Sequence, residues 1–187
     1  PNTGGMGAYS PVPQIPSEMV DTAVEKILKA AALGMVKNGT SFTGILYAGL
    51  IATDAGPKVI EFNARFGDPE TQVVLPRLTS DIAQVIDDIL NDQEPELVWS
   101  DQASVGVVLA AEGYPNAYQK GMPTPSFDDQ VTIYYAGVVD DQGEIRASGG
   151  RVLLVEAEAE TIEAAQTKVY QALDHAKTEG YFYRKDI

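Results

Sequence analysis

The stretch Val59 to Thr71 reads Val-Ile-Glu-Phe-Asn-Ala-Arg-Phe-Gly-Asp-Pro-Glu-Thr, and its first half alternates apolar and polar residues. In an extended strand Ile60, Phe62 and Ala64 fall on one face and Glu61, Asn63 and Arg65 on the other, so one face is expected to be core and the other functional. A carboxylate and an amide two residues apart lie about 7 Å apart along a strand and can converge on one hard cation. Mg²⁺ suits the pair, because it takes few protein oxygens and leaves the rest of its octahedron to water and phosphate. Arg65, next on the same face, offers a planar fork of donors to a phosphate or carboxylate. The competing reading is an edge strand with a solvated polar face. Asp68-Pro69 then reads as a helix opening, with Asp as cap and Pro at the first helical position, which gives Asp68 and Glu70 a structural role.

Outward from this stretch, Gly44 to Thr53 is apolar and reads as a partner strand, with Asp54-Ala55-Gly56-Pro57 as the turn and Lys58 to Arg65 as the returning arm. That partner strand contains no carboxylate, so any metal site rests on Glu61 and Asn63. Before it, Ser17 is placed as a helix cap, and Met19, Val20, Ala23, Ile27, Leu28, Ala31 and Met35 recur at helical spacing up to Asn38-Gly39. After it, two short helices are expected over Asp68 to Leu78 and Ser80 to Asn91, both covering the hairpin. Near Leu97 the charged, proline-containing run Gln93 to Asp101 suggests a boundary between a domain at 1–96 and a second at 97–187. The second part is rich in strands, at 104–111, 131–139, 144–147 and 151–157, with a turn at Asp140 to Gly143. A helix capped by Thr161 follows, running to about Glu179. These elements predict a small β-barrel or sandwich with one packed helix.

The chain has 187 residues, no cysteine and a formal charge of -14. The length suits one large domain or two small ones. The absence of cysteine excludes disulfides, thiolate metal sites and cysteine nucleophiles. The negative field argues against nucleic-acid binding, though not against a nucleotide compensated locally by a metal ion, backbone N–H groups and a few cations. No apolar run is long enough for a membrane span, and a cytoplasmic setting is the simplest expectation. The chain opens at Pro1 without methionine inside what reads as a functional loop, so a longer parent protein is expected. The glycine-rich loop Asn2 to Gly7 offers backbone N–H groups to an anion, although Gly-Gly-X-Gly is more often only a loop. His175, the one histidine, has no partner pattern and reads as a surface or packing residue. The alternating Glu156, Glu158 and Glu160 read as a solvated strand face, and Arg151 as a strand end after a glycine turn.

Three motifs in order carry a resemblance: Pro1 to Pro11 (PNTGGMGAYSP), Val59 to Gln72 (VIEFNARFGDPETQ) and Ser148 to Val152 (SGGRV). Together they resemble the phosphoribosylamine-glycine ligases, which are ATP-grasp enzymes. The resemblance runs to the closing Phe182-Tyr183-Arg184-Lys185-Asp186-Ile187. It implies an α+β fold in which the C-terminal half of an ATP-grasp domain is followed by the small β-rich domain. It also implies that Glu61 and Asn63 hold the Mg²⁺ or Mn²⁺ accompanying ATP, that Arg65 steadies the reacting oxygens, and that Asn2, Thr3, Gly4, Gly5 and Gly7 contact substrate or phosphate. Glycine, 5-phospho-D-ribosylamine and ATP are the implied substrates, and the missing N-terminal part of the same enzyme the implied partner. Another ATP-grasp carboxylate-amine ligase and a non-catalytic phosphate-binding module stand as rivals, the latter because the chain lacks the family's ATP-clamping lysine strands.

Overall fold

A computed structural model describes residues 2–187, with Pro1 outside them. The chain divides into two compact units, and each is discontinuous in sequence: residues 1–11, 68–79 and 99–187 form one, residues 12–67 and 80–98 the other. The glycine-rich loop and the segment from Asp68 to Thr79 cluster with the C-terminal strands. Both do so because they add to, or lie on, the sheet that those strands build.

That sheet is antiparallel throughout. Strand β4 (Ala103–Ala111) is flanked by β1 (Gly7–Ser10) and β8 (Arg151–Ala159), and β8 by β5 (Thr132–Tyr135). Strand β9 (Tyr181–Phe182) pairs with the end of β4 at Ala110 and Ala111. Strands β6 (Val138–Asp141) and β7 (Glu144–Ala147) form a separate hairpin, closed by Gln142 and Gly143 at φ 55° and 91°. Two consecutive left-handed residues suit the twist of a tight hairpin. The sheet is open, so the sandwich-like half of the expectation stands and the barrel does not.

Helix α5 (Ile162–His175) lies on one face of the sheet, where Val169, Ala172 and Leu173 meet Val107, Leu109, Leu153, Val155 and Ala157. Thr161 caps it as expected, its hydroxyl accepting from the Ala164 N–H at 3.2 Å. The helix stops at His175, short of the expected Glu179, because Ala176 is extended and the chain turns back into β9. The opposite face meets α3 (Thr71–Val74), which continues as a 3-10 turn through Leu75–Arg77. Gly106 of β4 allows this approach: a Cβ there would lie 2.9 Å from both Val73 Cγ1 and Leu154 Cδ2. Helix α3 therefore packs on β1 and β4.

The second unit is thinner. Helix α1 (Ser17–Ala23) passes through a π-helical segment, Val24–Leu28, into α2 (Lys29–Lys37), so the expected single helix is present with a widened turn in its middle. Strands β2 (Tyr47–Thr53) and β3 (Gly56–Asn63) form the expected hairpin, with a bulge where Glu61 pairs Gly49 but Val59 pairs Leu50. Helix α4 (Ile82–Leu90) is capped by Asp81, whose side chain accepts from the Ala83 N–H. The expected apolar core face of β3 is not buried: Ile60 is 67% and Phe62 43% exposed, and Ala64 is exposed. Ile60 is the bulged residue, and among the described residues no third strand joins the ribbon. The stripe of α4 is likewise open, with Ile86 46% and Leu90 70% exposed.

Candidate functional site

Strand pairing decides where the polar residues of β3 point. Asn63 pairs with Tyr47 and Glu61 with Gly49, so Glu61 and Asn63 share a face. Gly49 opens space there: a Cβ would sit 3.1 Å from Glu61 Cγ. The two side chains converge, with Asn63 Nδ2 donating to Glu61 Oε1 at 2.9 Å. Arg65 joins them, donating from Nη2 to Asn63 Oδ1 at 3.4 Å and from Nη1 to the Phe66 carbonyl at 2.7 Å. Glu61 and Arg65 are exposed and Asn63 half-buried. An exposed carboxylate beside a side-chain amide is a hard-oxygen donor set that fits Mg²⁺ or Mn²⁺, the amide turning its oxygen inward. Among the described residues no group of three or more His, Cys, Asp or Glu is arranged to hold a metal. Any further ligands would come from water and nucleotide phosphates.

The glycine-rich loop lies in the C-terminal unit, and each of its glycines is explained by a close neighbour. A Cβ at Gly4 would sit 3.0 Å from Arg151 Nε, one at Gly5 2.4 Å from Pro69 Cδ, and one at Gly7 2.8 Å from the Gly106 carbonyl oxygen. Arg151, which the residue pattern assigns to a solvated strand end, is instead a junction. Its Nη1 donates to the Gly5 carbonyl at 3.1 Å and to the Asp68 carbonyl at 3.0 Å, and its Nη2 donates to Asp68 Oδ2 at 2.8 Å. Asp68 is accordingly not a helix cap: α3 starts at Thr71, and the carboxylate takes Arg151 and, at 3.0 Å, Gln72 Nε2. Tyr114 completes the group. Its hydroxyl oxygen accepts the Gly4 N–H at 3.0 Å, and its ring fills the space that a side chain at Gly150 would need.

Sequence reasoning had a partial signal for this cluster in Ser148 to Val152, and none for Tyr114, which lies far from the other motifs along the chain. His175 is exposed, at the end of α5. Glu156 corrects the reading of a solvated acidic face. Strand β8 is interior to the sheet, so Glu156 is only 2% exposed, and Ser104 Oγ donates to its Oε1 at 2.7 Å. Burial pushes its carboxyl above the usual range, and the Ser104 hydrogen bond partly opposes the shift. Glu158 is half-buried, and only Glu160 is fully exposed.

Comparison with known proteins places this arrangement. The family model "Phosphoribosylglycinamide synthetase, ATP-grasp (A) domain" matches residues 1–71, and "Phosphoribosylglycinamide synthetase, C domain" matches residues 104–187. The class is thus ATP-grasp, with the family's C domain following. A phosphoribosylamine-glycine ligase of Halalkalibacterium halodurans is 54% identical over all of this chain and 44% of its own length. One from Streptococcus pneumoniae is 52% identical over all of this chain and 46% of its own. The crystal structure of the Thermotoga maritima phosphoribosylamine-glycine ligase superposes with a TM-score of 0.89 at 36% identity, over all of this chain and 47% of that one. The chain belongs to the phosphoribosylamine-glycine ligase family. It spans a little under half the length of these relatives. Among the described residues no helix is long and apolar enough to cross a membrane.

Proposed function

We propose that the chain supplies the C-terminal part of a cytoplasmic ligase joining glycine to 5-phospho-D-ribosylamine at the expense of ATP, giving glycinamide ribonucleotide, ADP and phosphate in de novo purine synthesis. By descent, residues 1–96 are the second half of the ATP-grasp domain and 97–187 the small C-terminal domain. A glycine carboxylate oxygen attacks the γ-phosphorus and ADP leaves. The amine of phosphoribosylamine then attacks the acyl carbon of glycyl phosphate, phosphate departs and the amine loses a proton. Such transfers are accelerated by positioning and charge neutralisation, and a protein nucleophile is not needed.

Glu61 and Asn63 hold Mg²⁺ or Mn²⁺, which neutralises phosphate charge when bound. Arg65, held at Nη1 by the Phe66 carbonyl, steadies phosphoryl or carboxylate oxygens, and the loop residues Asn2, Thr3, Gly4, Gly5 and Gly7 contact substrate. The observation that carries this reading is the convergence of Glu61 and Asn63 to 2.9 Å on a face that Gly49 leaves open. The need for the N-terminal part is supported by the thin second unit, where only Ala23 and Val85 are buried apolar residues among those described.

The test is phosphate release from ATP by a full-length chain carrying this sequence. Release is expected only with glycine and phosphoribosylamine both present, and none from this chain alone. Asn63→Ala and Glu61→Ala should each lower kcat/KM by roughly 10²-fold or more, as loss of a preorganised electrostatic group does. Full activity in both variants, or release with a different acid and amine, would overturn the assignment.

A further inference from the structure

The cluster around Arg151 belongs wholly to the C-terminal unit and has a feature that packing alone does not require. Two inward hydrogen bonds hold adjacent residues of the exposed loop: the Gly4 N–H is taken by Tyr114, and the Gly5 carbonyl by Arg151. Among the described residues no acceptor takes the N–H groups of Thr3 or Gly5, and both residues are exposed. Two N–H groups without an acceptor, on exposed backbone with little side-chain cover, are free to bind an anion. Their value depends on rigidity, since a glycine-rich loop left free loses more conformational entropy on ordering than any other sequence. Arg151 is suited to hold it. Its planar fork spans the Gly5 carbonyl, the Asp68 carbonyl and the Asp68 carboxylate at once, and the absence of a Gly4 side chain lets the loop lie against the guanidinium.

We propose that Arg151 and Tyr114 are positioning residues that preorganise the Thr3-Gly4-Gly5 backbone as a site for a phosphate group. This rests on the ligase reading, where the phosphate would be that of phosphoribosylamine, which unlike the phosphates of ATP has no accompanying metal ion. Neither side chain need touch the reacting atoms. Asp68 acts one step further out, by holding the guanidinium.

The test uses two conservative variants. Arg151→Lys keeps the charge and loses the fork, while Tyr114→Phe keeps the ring against Gly150 and removes only the oxygen. Amide NMR shifts of Thr3 and Gly5 are followed as inorganic phosphate is added to the wild-type chain and to each variant. In a full-length chain, KM for ATP, glycine and phosphoribosylamine is measured alongside kcat and the unfolding midpoint. The wild-type loop amides are expected to respond to phosphate, and each variant to weaken that response. KM for phosphoribosylamine is expected to rise about tenfold, the equivalent of one charge-assisted or well-aligned hydrogen bond, with KM for ATP and kcat within about twofold. A lower unfolding midpoint with every KM unchanged would make both residues structural and overturn the proposal, as would loop amides indifferent to phosphate. A loop that answers phosphate in a full-length chain inactive with glycine and phosphoribosylamine would sink the ligase reading and leave this one standing.

Discussion

Replacing Gly150 by alanine should destabilise the C-terminal unit through a single ring. The new Cβ would lie 2.2 Å from Tyr114 Cδ2 and 2.8 Å from its Cε2. Carbon atoms pack at about 3.5 Å or more, so the ring must retreat by more than about 1 Å. Overpacking of this kind costs ~1–3 kcal/mol. The retreat also pulls the hydroxyl from the Gly4 N–H it now accepts at 3.0 Å, adding ~1 kcal/mol. Together the loss is ~2–4 kcal/mol, which in a chain of this size lowers the unfolding midpoint by roughly 5–15 °C.

Trp99, the one tryptophan, belongs to the same unit, so its fluorescence during urea denaturation reports the relevant transition. The decisive arm is the double variant. Gly150 is not in the left-handed region, so alanine is conformationally acceptable there once the ring is gone. In a Tyr114→Ala background, Gly150→Ala should therefore be neutral, or stabilising by up to ~1 kcal/mol through the unfolded chain. An equal loss in both backgrounds would refute the steric argument and point to a backbone requirement at Gly150.

Glu156→Gln should stabilise the chain, and more so near pH 8 than near pH 4. The folded carboxyl titrates above its unfolded value, so its contribution is fully present below the unfolded pKa and is lost as pH rises through the folded one. The neutral amide removes that loss, and unfolding midpoints that differ equally at both pH values would contradict a buried, raised carboxyl. Leu173→Ala, at 1% exposure between α5 and the sheet, should cost ~2–5 kcal/mol in urea denaturation, whereas Leu90→Ala, at 70% exposure, should cost less than ~1 kcal/mol in this chain.

Local chemistry was legible wherever the cause was local. The β2–β3 hairpin, the turn at Gln142-Gly143 and the Thr161 cap each follow from residues within a few positions of one another. The shared face of Glu61 and Asn63 follows in the same way from the two-residue period of a strand. Arg151, Asp68, Gly5 and Tyr114 come together only because β8, the start of α3, the approach to β1 and the end of β4 meet in one unit. No spacing along the chain encodes that meeting, and so Asp68 read as a helix cap and Arg151 as a strand end. The burial of Glu156 escapes the sequence for the same reason: its alternation with Glu158 and Glu160 is that of a solvated strand, and only the strand order puts β8 between two neighbours. Periodicity and turn chemistry report what a residue does to its own backbone, whereas burial and partnership depend on which distant segment arrives opposite, and that is decided by the packing of the whole unit.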